Sequence, residues 1–371
     1  MNAVDNSACN RFHETGCKTA SVMTARSPRS SSSPPTIKQV AEEARVSRAT
    51  VSRAFSRPHL LSQETVERVR RVSDRLGYVP NHTARALSTG RAGNIALVVP
   101  DITNAFFAGL MRGAQAKARE QGYATFLGDS DETPELEDLL LAKLSAQVEG
   151  FILVSSRLAE KRILEHARRR PFVLINRDLS ELPRLLINTA PSYEQGVEHL
   201  GSLGHRAIAY VAGPALSWSN RQRETAVATA SMRLGINLVR IPTVRPSFEA
   251  GRACTDSLLK AGVTAALAFD DVMAQGIIAG LAHRGLAVPS DFSLIGCDGI
   301  VAAMSYPPLT SVESHCAAAG ERAVDLLLAG LQGGAQGPLG VNLPTELIIR
   351  ASTASPSATI RNDDGTAFIA R

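Results

Sequence analysis

A chain of 371 residues exceeds one typical domain, so two or three folded units are expected. No apolar run reaches the roughly 18 residues that cross a bilayer, and the opening stretch MNAVDNSACNRFHETGC carries Asp5 and Glu14 without an apolar core, which excludes a membrane span and a secretory signal. Five scattered cysteines without a C-x-x-C pair argue against a disulfide framework or a zinc site and fit a reducing cytoplasm.

The charge is unevenly placed. Residues 36–91 hold eleven bases against five acids, net +6; the first 35 residues are net +2 and the rest of the chain net −3, within a total of +5. A basic module joined to a mildly acidic body points to a polyanionic partner, although a solvated helical surface would carry the same charges. Residues 1–35 lack periodicity and end in SPRSSSSPP, which predicts a disordered tail.

Order is expected from Thr36. Thr36 can cap a helix while Gln39 reaches back to it, predicting a helix over Ile37–Glu43 that buries Ile37, Val40 and Ala41. A tight turn at Arg45–Val46 follows, and Ser47 caps a second helix over Arg48–Phe55. Ser56-Arg57-Pro58 stops it. Ser62 then caps a third helix with apolar Val66, Val69, Val72 and Leu76, and Gly77 ends that one. Three short helices on tight turns form a helix-turn-helix unit. Beyond it Pro80 breaks the chain, Asn81 can cap, and T-A-R-A-L-S offers about two helical turns before Gly90. So short a helix is marginal alone and would form only against a partner surface.

From Asn94 the pattern becomes strand–loop–helix. The strand candidates are NIALVV, YATFLGD, GFILVSS and FVLIN, then AIAYVAG, LVRIPTV, AALAFDD and FSLIGCD, with helices such as Phe107–Gln121 and Tyr193–Leu203 between them. IALVVPD…AREQGY echoes IAYVAGP…SMRLGI, which predicts two similar α/β lobes facing one cleft, with ligands at the carboxyl ends of the strands. There is no G-x-G-x-x-G after a strand, no Walker A loop, no G-x-S-x-G and no H-E-x-x-H, so an enzyme, a cofactor and a metal site are not expected.

The run TIKQVAEEARVSRATVSRAFSRPHLLSQETVERVRRVSDRLGYVPNHTARALS resembles the DNA-binding headpiece of the LacI/GalR family of bacterial transcription regulators. The α/β body, with SLIGCDG and the LGH of Leu203–His205, is similar to that family's core. The resemblance runs from Thr36 to about Thr353. It implies an N-terminal all-α helix-turn-helix headpiece with a hinge helix, plus a two-lobed α/β core of the periplasmic-binding-protein type. The implied boundaries are 36–80 for the headpiece, 81–92 for the hinge and 93–353 for the core. Within the core the lobes would cover roughly 93–188 and 189–313, segment 314–353 would return across them, and 354–371 would be a flexible tail.

The resemblance also implies roles. The second helix would enter the major groove with Arg48, Ala49 and Arg53 toward base edges, where an arginine can pair bidentately with guanine; simple phosphate contact is the alternative for both arginines. Thr36, Ser47, Thr50 and Ser52 suit phosphate contacts or caps, small Ala49 and Ala54 would allow close packing, and Val51 suits the core. In the hinge, Leu87 would wedge into the minor groove or pack on a neighbouring helix, while Asn81, His82 and Arg85 hold phosphates. In the cleft, Asn104 with Phe106 and Phe107 would clasp a sugar ring, unless the two phenylalanines are core. Asn176, Arg177, Arg223, Asp270 and Asp298 would hydrogen-bond its hydroxyls, or form structural ion pairs. Ala226 and Val227 stand where the family usually has a glycine and an aromatic, and Pro246 replaces another aromatic, with Phe248 displaced.

The expected function is a homodimer, or dimer of dimers, on a palindromic double-stranded DNA operator. It is expected to be a repressor of carbohydrate genes controlled by a small sugar, with a ribose-like pentose favoured. Control by a nucleobase, nucleoside or protein corepressor, or action as an activator, is the alternative. A transport binding protein would fit the body alone.

Overall fold

The computed structural model describes residues 35–79, 93–333, 339–357, 360–361 and 367–368. The chain divides between Asn81 and His82 into two compact units. Most of the tail expected at 1–35, and all of the hinge at 81–92, lies outside the described residues.

The first unit is built from local signals. Helix α1 (Ile37–Glu43) begins with a complete capping box: Gln39 N donates to Thr36 Oγ1, and Thr36 N donates to Gln39 Oε1 at 2.7 Å. Helix α2 (Arg48–Ser56) is capped by Ser47, which accepts from Thr50 N at 3.0 Å. Helix α3 (Gln63–Leu76) is capped by Ser62 and ends on Gly77 at φ 68°. The stop expected after Ser56 is a 3-10 turn at Pro58–Leu60. Val40, Ala41, Ala44, Val51, Ala54, Val69 and Val72 form the core, and an Arg75–Glu43 pair at 2.6 Å ties α3 to α1.

The second unit contains two lobes. The first runs β1 (Asn94–Val99), α4 (Ala105–Glu120), β2 (Ala124–Asp129), α5 (Pro134–Leu144), β3 (Gly150–Val154), α6 (Glu160–Ala167), β4 (Phe172–Ile175) and β5 (Arg184–Asn188). The second runs α7 (Ala190–Ser202), β6 (Ala207–Val211), α8 (Trp218–Leu234), β7 (Asn237–Ile241), α9 (Phe248–Ala253), α10 (Thr255–Lys260), β8 (Ala265–Ala268), α11 (Asp271–His283), β9 (Ser293–Asp298) and β10 (Thr310–Glu313). Helix α12 (Cys316–Leu331) and strand β11 (Gly340–Pro344) return to the first lobe, and β12 (Glu346–Ile348) joins the second. The sheets read β11-β5-β4-β3-β1-β2 and β12-β10-β9-β8-β6-β7, parallel throughout except for the antiparallel β12 edge. The repeated order explains the echo between the two halves of the sequence, and it places a topological switch point beside β1 in one lobe and β6 in the other.

Helix α12 lies close against α4. A Cβ at Gly113 would meet Ala317 O at 2.1 Å, and one at Gly320 would meet Leu110 O at 2.1 Å, so the contact depends on glycine. Among the described residues no helix is long and apolar enough to cross a membrane.

Some expected elements differ. AALAFDD is strand only to Ala268, because Asp270 caps α11 by accepting from Met273 N at 2.8 Å. Strands β5, β10, β11 and β12 were not anticipated. Ala354, expected to open a flexible tail, is held on the second lobe: Ala354 N donates to Ser293 Oγ at 3.0 Å and Ala354 O faces His205 Nε2 at 2.9 Å, and beyond it Ile360–Arg361 pairs antiparallel with Ala367–Phe368.

Candidate nucleic-acid interface and ligand cleft

Helix α2 has two unlike faces. Val51 and Ala54 are fully buried against α1 and α3, while Arg48, Ala49, Ser52 and Arg53 are exposed on the other side. Close packing inside the unit therefore belongs to Ala54 alone; Ala49 faces outward between the arginines. Neither Arg48 nor Arg53 joins an ion pair among the described residues, whereas Lys38, Arg68 and Arg75 pair with Glu42, Glu64 and Glu43. The two guanidiniums are thus unneutralised on an exposed face of small residues. Thr36 and Ser47 are exposed caps, and half-buried Thr50 has its hydroxyl 2.9 Å from Ser47 Oγ. Asn81, His82, Arg85 and Leu87 lie outside the described residues.

The cleft between the lobes is assembled at the switch points. Asn104 caps α4 after β1, its Oδ1 accepting from Phe106 N at 3.0 Å. Its Nδ2 crosses to the other lobe and donates to Asp270 Oδ2 at 3.0 Å. Arg223 on α8 is buried, donates to Thr189 Oγ1 at 3.2 Å and to Phe269 O, and sits 3.7 Å from Asp298. Its guanidinium also lies 4.7 Å from the Phe269 ring centroid. Asn176 has φ 53° and accepts from Ile187 N at 2.9 Å. Asp131, Glu132, Ser155 and Asp298 also have positive φ at strand ends around the cleft, a clustering of strained backbone that marks functional sites. Burial raises the carboxyls of Asp270 and Asp298, most strongly Asp298, so the floor of the cleft resists holding several negative charges at once.

Asn104, Phe106, Phe107, Asn176, Arg223, Asp270 and Asp298 all line this cleft. Arg177 does not: its guanidinium donates to Leu158 O at 3.1 Å and faces Glu160 at 3.8 Å. The two phenylalanines meet edge to face, centroids 5.1 Å apart at 80°, so they cannot hold a ring between them; both also belong to the first lobe's core. Sequence reasoning missed Arg157, which is buried, pairs with Glu132 at 2.6 Å and donates to Ser155 O at 2.6 Å. The signal was its place just past strand candidate GFILVSS. Ser217, Ser219 and Phe269 were missed as well. Ala226 and Val227 lie on the core-facing side of α8, while Pro246 lines the cleft. The space left between these side chains is about 30 Å³. A wider concavity of about 350 Å³, between Arg168–Arg170, Phe172, Glu181 and Leu326–Leu327, lies at the amino end of β4, away from the switch points.

Residues 36–81 match the model for bacterial regulatory proteins of the lacI family, and residues 197–353 match the periplasmic binding protein-like domain. The HTH-type transcriptional repressor CytR of Escherichia coli K12 is 33% identical over 330 residues, covering 86% of this chain and 96% of that protein. The chain belongs to the LacI family. This LacI-family chain is a DNA-binding transcription regulator and not an enzyme. Catabolite control protein A of Priestia megaterium is 31% identical over 86% of this chain and 99% of its own. Among solved structures, the lac repressor dimer bound to operator and an anti-inducer has a TM-score of 0.77 at 27% identity, covering 86% of this chain and 99% of that one. A LacI family regulator from Enterococcus faecium with bound ribose has a TM-score of 0.66 at 30% identity, covering 71% of this chain and all of that one.

Proposed function

We propose that this protein is a homodimeric, or dimer-of-dimers, cytoplasmic repressor that reads a palindromic operator through α2 and is released by a small sugar bound between the lobes. The observation that carries the proposal is the convergence of strand-end polar groups from both lobes on one cleft, joined by the Asn104–Asp270 hydrogen bond. A ligand bound there touches both lobes, so it acts on their relative arrangement, and any such change alters DNA affinity in proportion to the ligand's preference for one arrangement. The carboxyl groups of Asp270 and Asp298, the amides of Asn104 and Asn176 and the guanidinium of Arg223 match the donor and acceptor pattern of a polyol. About 30 Å³ holds a water or two rather than a sugar ring, so the lobes must part to admit one.

A ribose-like pentose is favoured by the bound ribose of the E. faecium regulator. Assembly as a dimer is supported by the resemblance to the operator-bound lac repressor dimer. It is supported too by apolar surface: exposed Phe126 and Leu127 on the β2 edge, and Met304 and Tyr306 after β9. In the groove, Arg48 and Arg53 would read bases, with Ser47, Thr50 and Ser52 on phosphates and Ala49 allowing close approach.

The test is a titration of a fluorescent duplex carrying the gene's own upstream region, across salt, with a panel of pentoses, hexoses and nucleosides. The expected result is tight binding that weakens steeply with salt and is lost with ribose or a close relative. Release by a nucleoside alone would replace the sugar. Binding without preference for the upstream duplex at any salt would overturn the reading of α2.

A further inference from the structure

Arg45 lies in the turn between α1 and α2 with φ 54°. That left-handed conformation disfavours any residue with a Cβ and is ordinarily given to glycine or asparagine. The turn imposes it: Arg45 N donates to Glu42 O at 3.2 Å and Val46 N to Ala41 O at 2.9 Å. The side chain is exposed and makes no hydrogen bond or ion pair with the described residues, while Glu42, Glu43 and Glu64 are matched with other bases. Arg45 stands two residues ahead of Ser47, the cap of the helix that exposes Arg48 and Arg53. Backbone strain persists where the surrounding structure over-determines it, as the two turn hydrogen bonds do here, and it concentrates at functional sites.

Resting on the DNA-binding reading of α2, we propose that Arg45 is a further DNA-contacting residue, one that grips the phosphate backbone where the chain enters the groove-facing helix. The guanidinium fork matches phosphate geometry, and a phosphate contact adds affinity without reading sequence. Arginine thereby takes a backbone position where glycine would be easier, and stability is exchanged for grip.

The test compares the full chain with its Arg45→Gly and Arg45→Lys variants. Binding to the upstream duplex and to a scrambled duplex is measured from 50 to 200 mM salt, alongside amide exchange in α1–α3. Each phosphate contact contributes about 0.9 to the log-log salt slope and a dimer carries two copies of Arg45, so Arg45→Gly should lower the slope by about 1.8 and bind both duplexes about sixtyfold more weakly at 0.1 M salt, with an unchanged ratio between them. Arg45→Lys should keep the parent slope. Exchange in α1–α3 of Arg45→Gly should slow about fivefold or more, because the strain is gone; weaker binding by a better-folded unit separates contact from stability. An unchanged slope in Arg45→Gly, a loss confined to the upstream duplex, or faster exchange would each overturn the proposal while leaving the parent a DNA-binding protein. A parent without salt-dependent binding would overturn the reading of α2 and this proposal together.

Discussion

Replacing Asp271 by asparagine should remove a pH dependence of stability. Asp271 opens α11 behind the cleft at 2% exposure; its Oδ1 accepts from Ser311 Oγ at 2.6 Å, while the buried Oδ2 has no partner within hydrogen-bond distance among the described residues. Burial, with a further push from neighbouring Asp270, holds its carboxyl at about 7 instead of 3.8. The folded value lies above the unfolded one, so the stability this group contributes is fully present below about 3.8 and is lost as pH rises through about 7. By pH 8 the loss is on the order of 4 kcal/mol, more than half of it between pH 5 and 8. Asparagine keeps the acceptor toward Ser311 but sets an unpaired amide where Oδ2 was, at a cost of about 1–3 kcal/mol. Asp271→Asn should therefore be about 1–3 kcal/mol more stable than the parent at pH 8 and near equal to it at pH 5. Urea unfolding followed by the fluorescence of Trp218, the single tryptophan, reads the lobe that holds Asp271. Burial lowers His199 and His205, so their contribution is lost as pH falls; it is common to both proteins and cancels in the difference. A stability difference that stays constant from pH 5 to 8 would refute the reasoning.

Arg53→Ala should lose about 1–3 kcal/mol of discrimination at one base pair, measured with single-pair operator substitutions, while leaving the other positions unchanged. Asn104→Ala removes the hydrogen bond that joins the lobes at Asp270; it should weaken effector binding at least tenfold by calorimetry while the operator is still bound. Gly113→Val would drive a side chain into Ala317 O and force α4 from α12, lowering stability by about 1–3 kcal/mol in denaturant unfolding.

Much of the first unit was legible because its signals are local. Thr36 with Gln39, Ser47, Ser62 and Gly77 each act within a few residues, and the structure bounds α1, α2 and α3 at those positions. The strands flanking the switch points, β1, β3, β6 and β8, were legible as apolar runs that are buried throughout or nearly so. The shorter strands were not. RLLIN of β5 follows Pro183 closely, and GVNLP of β11 alternates half-buried and exposed residues on a sheet edge and ends in Pro344. A proline and a weak apolar pattern read as loop until a neighbouring strand supplies the hydrogen bonds.

By itself the sequence determined which residue types stand at strand ends and helix starts: Asn104, Asn176, Asp270, Asp298, and the arginines of α2. Tertiary structure alone decided which of them meet. Asn104 and Asp270 are 166 residues apart and touch only because two sheets of the same strand order face each other. It also chose between two arginines at strand ends of one lobe. Glu132 and Ser155 O hold Arg157 at the cleft, whereas Leu158 O and Glu160 draw Arg177 away. Local chemistry fixes where a polar side chain begins. The partners that satisfy it come from distant chain segments, and they determine where it ends, because a buried charge settles where its hydrogen bonds are completed.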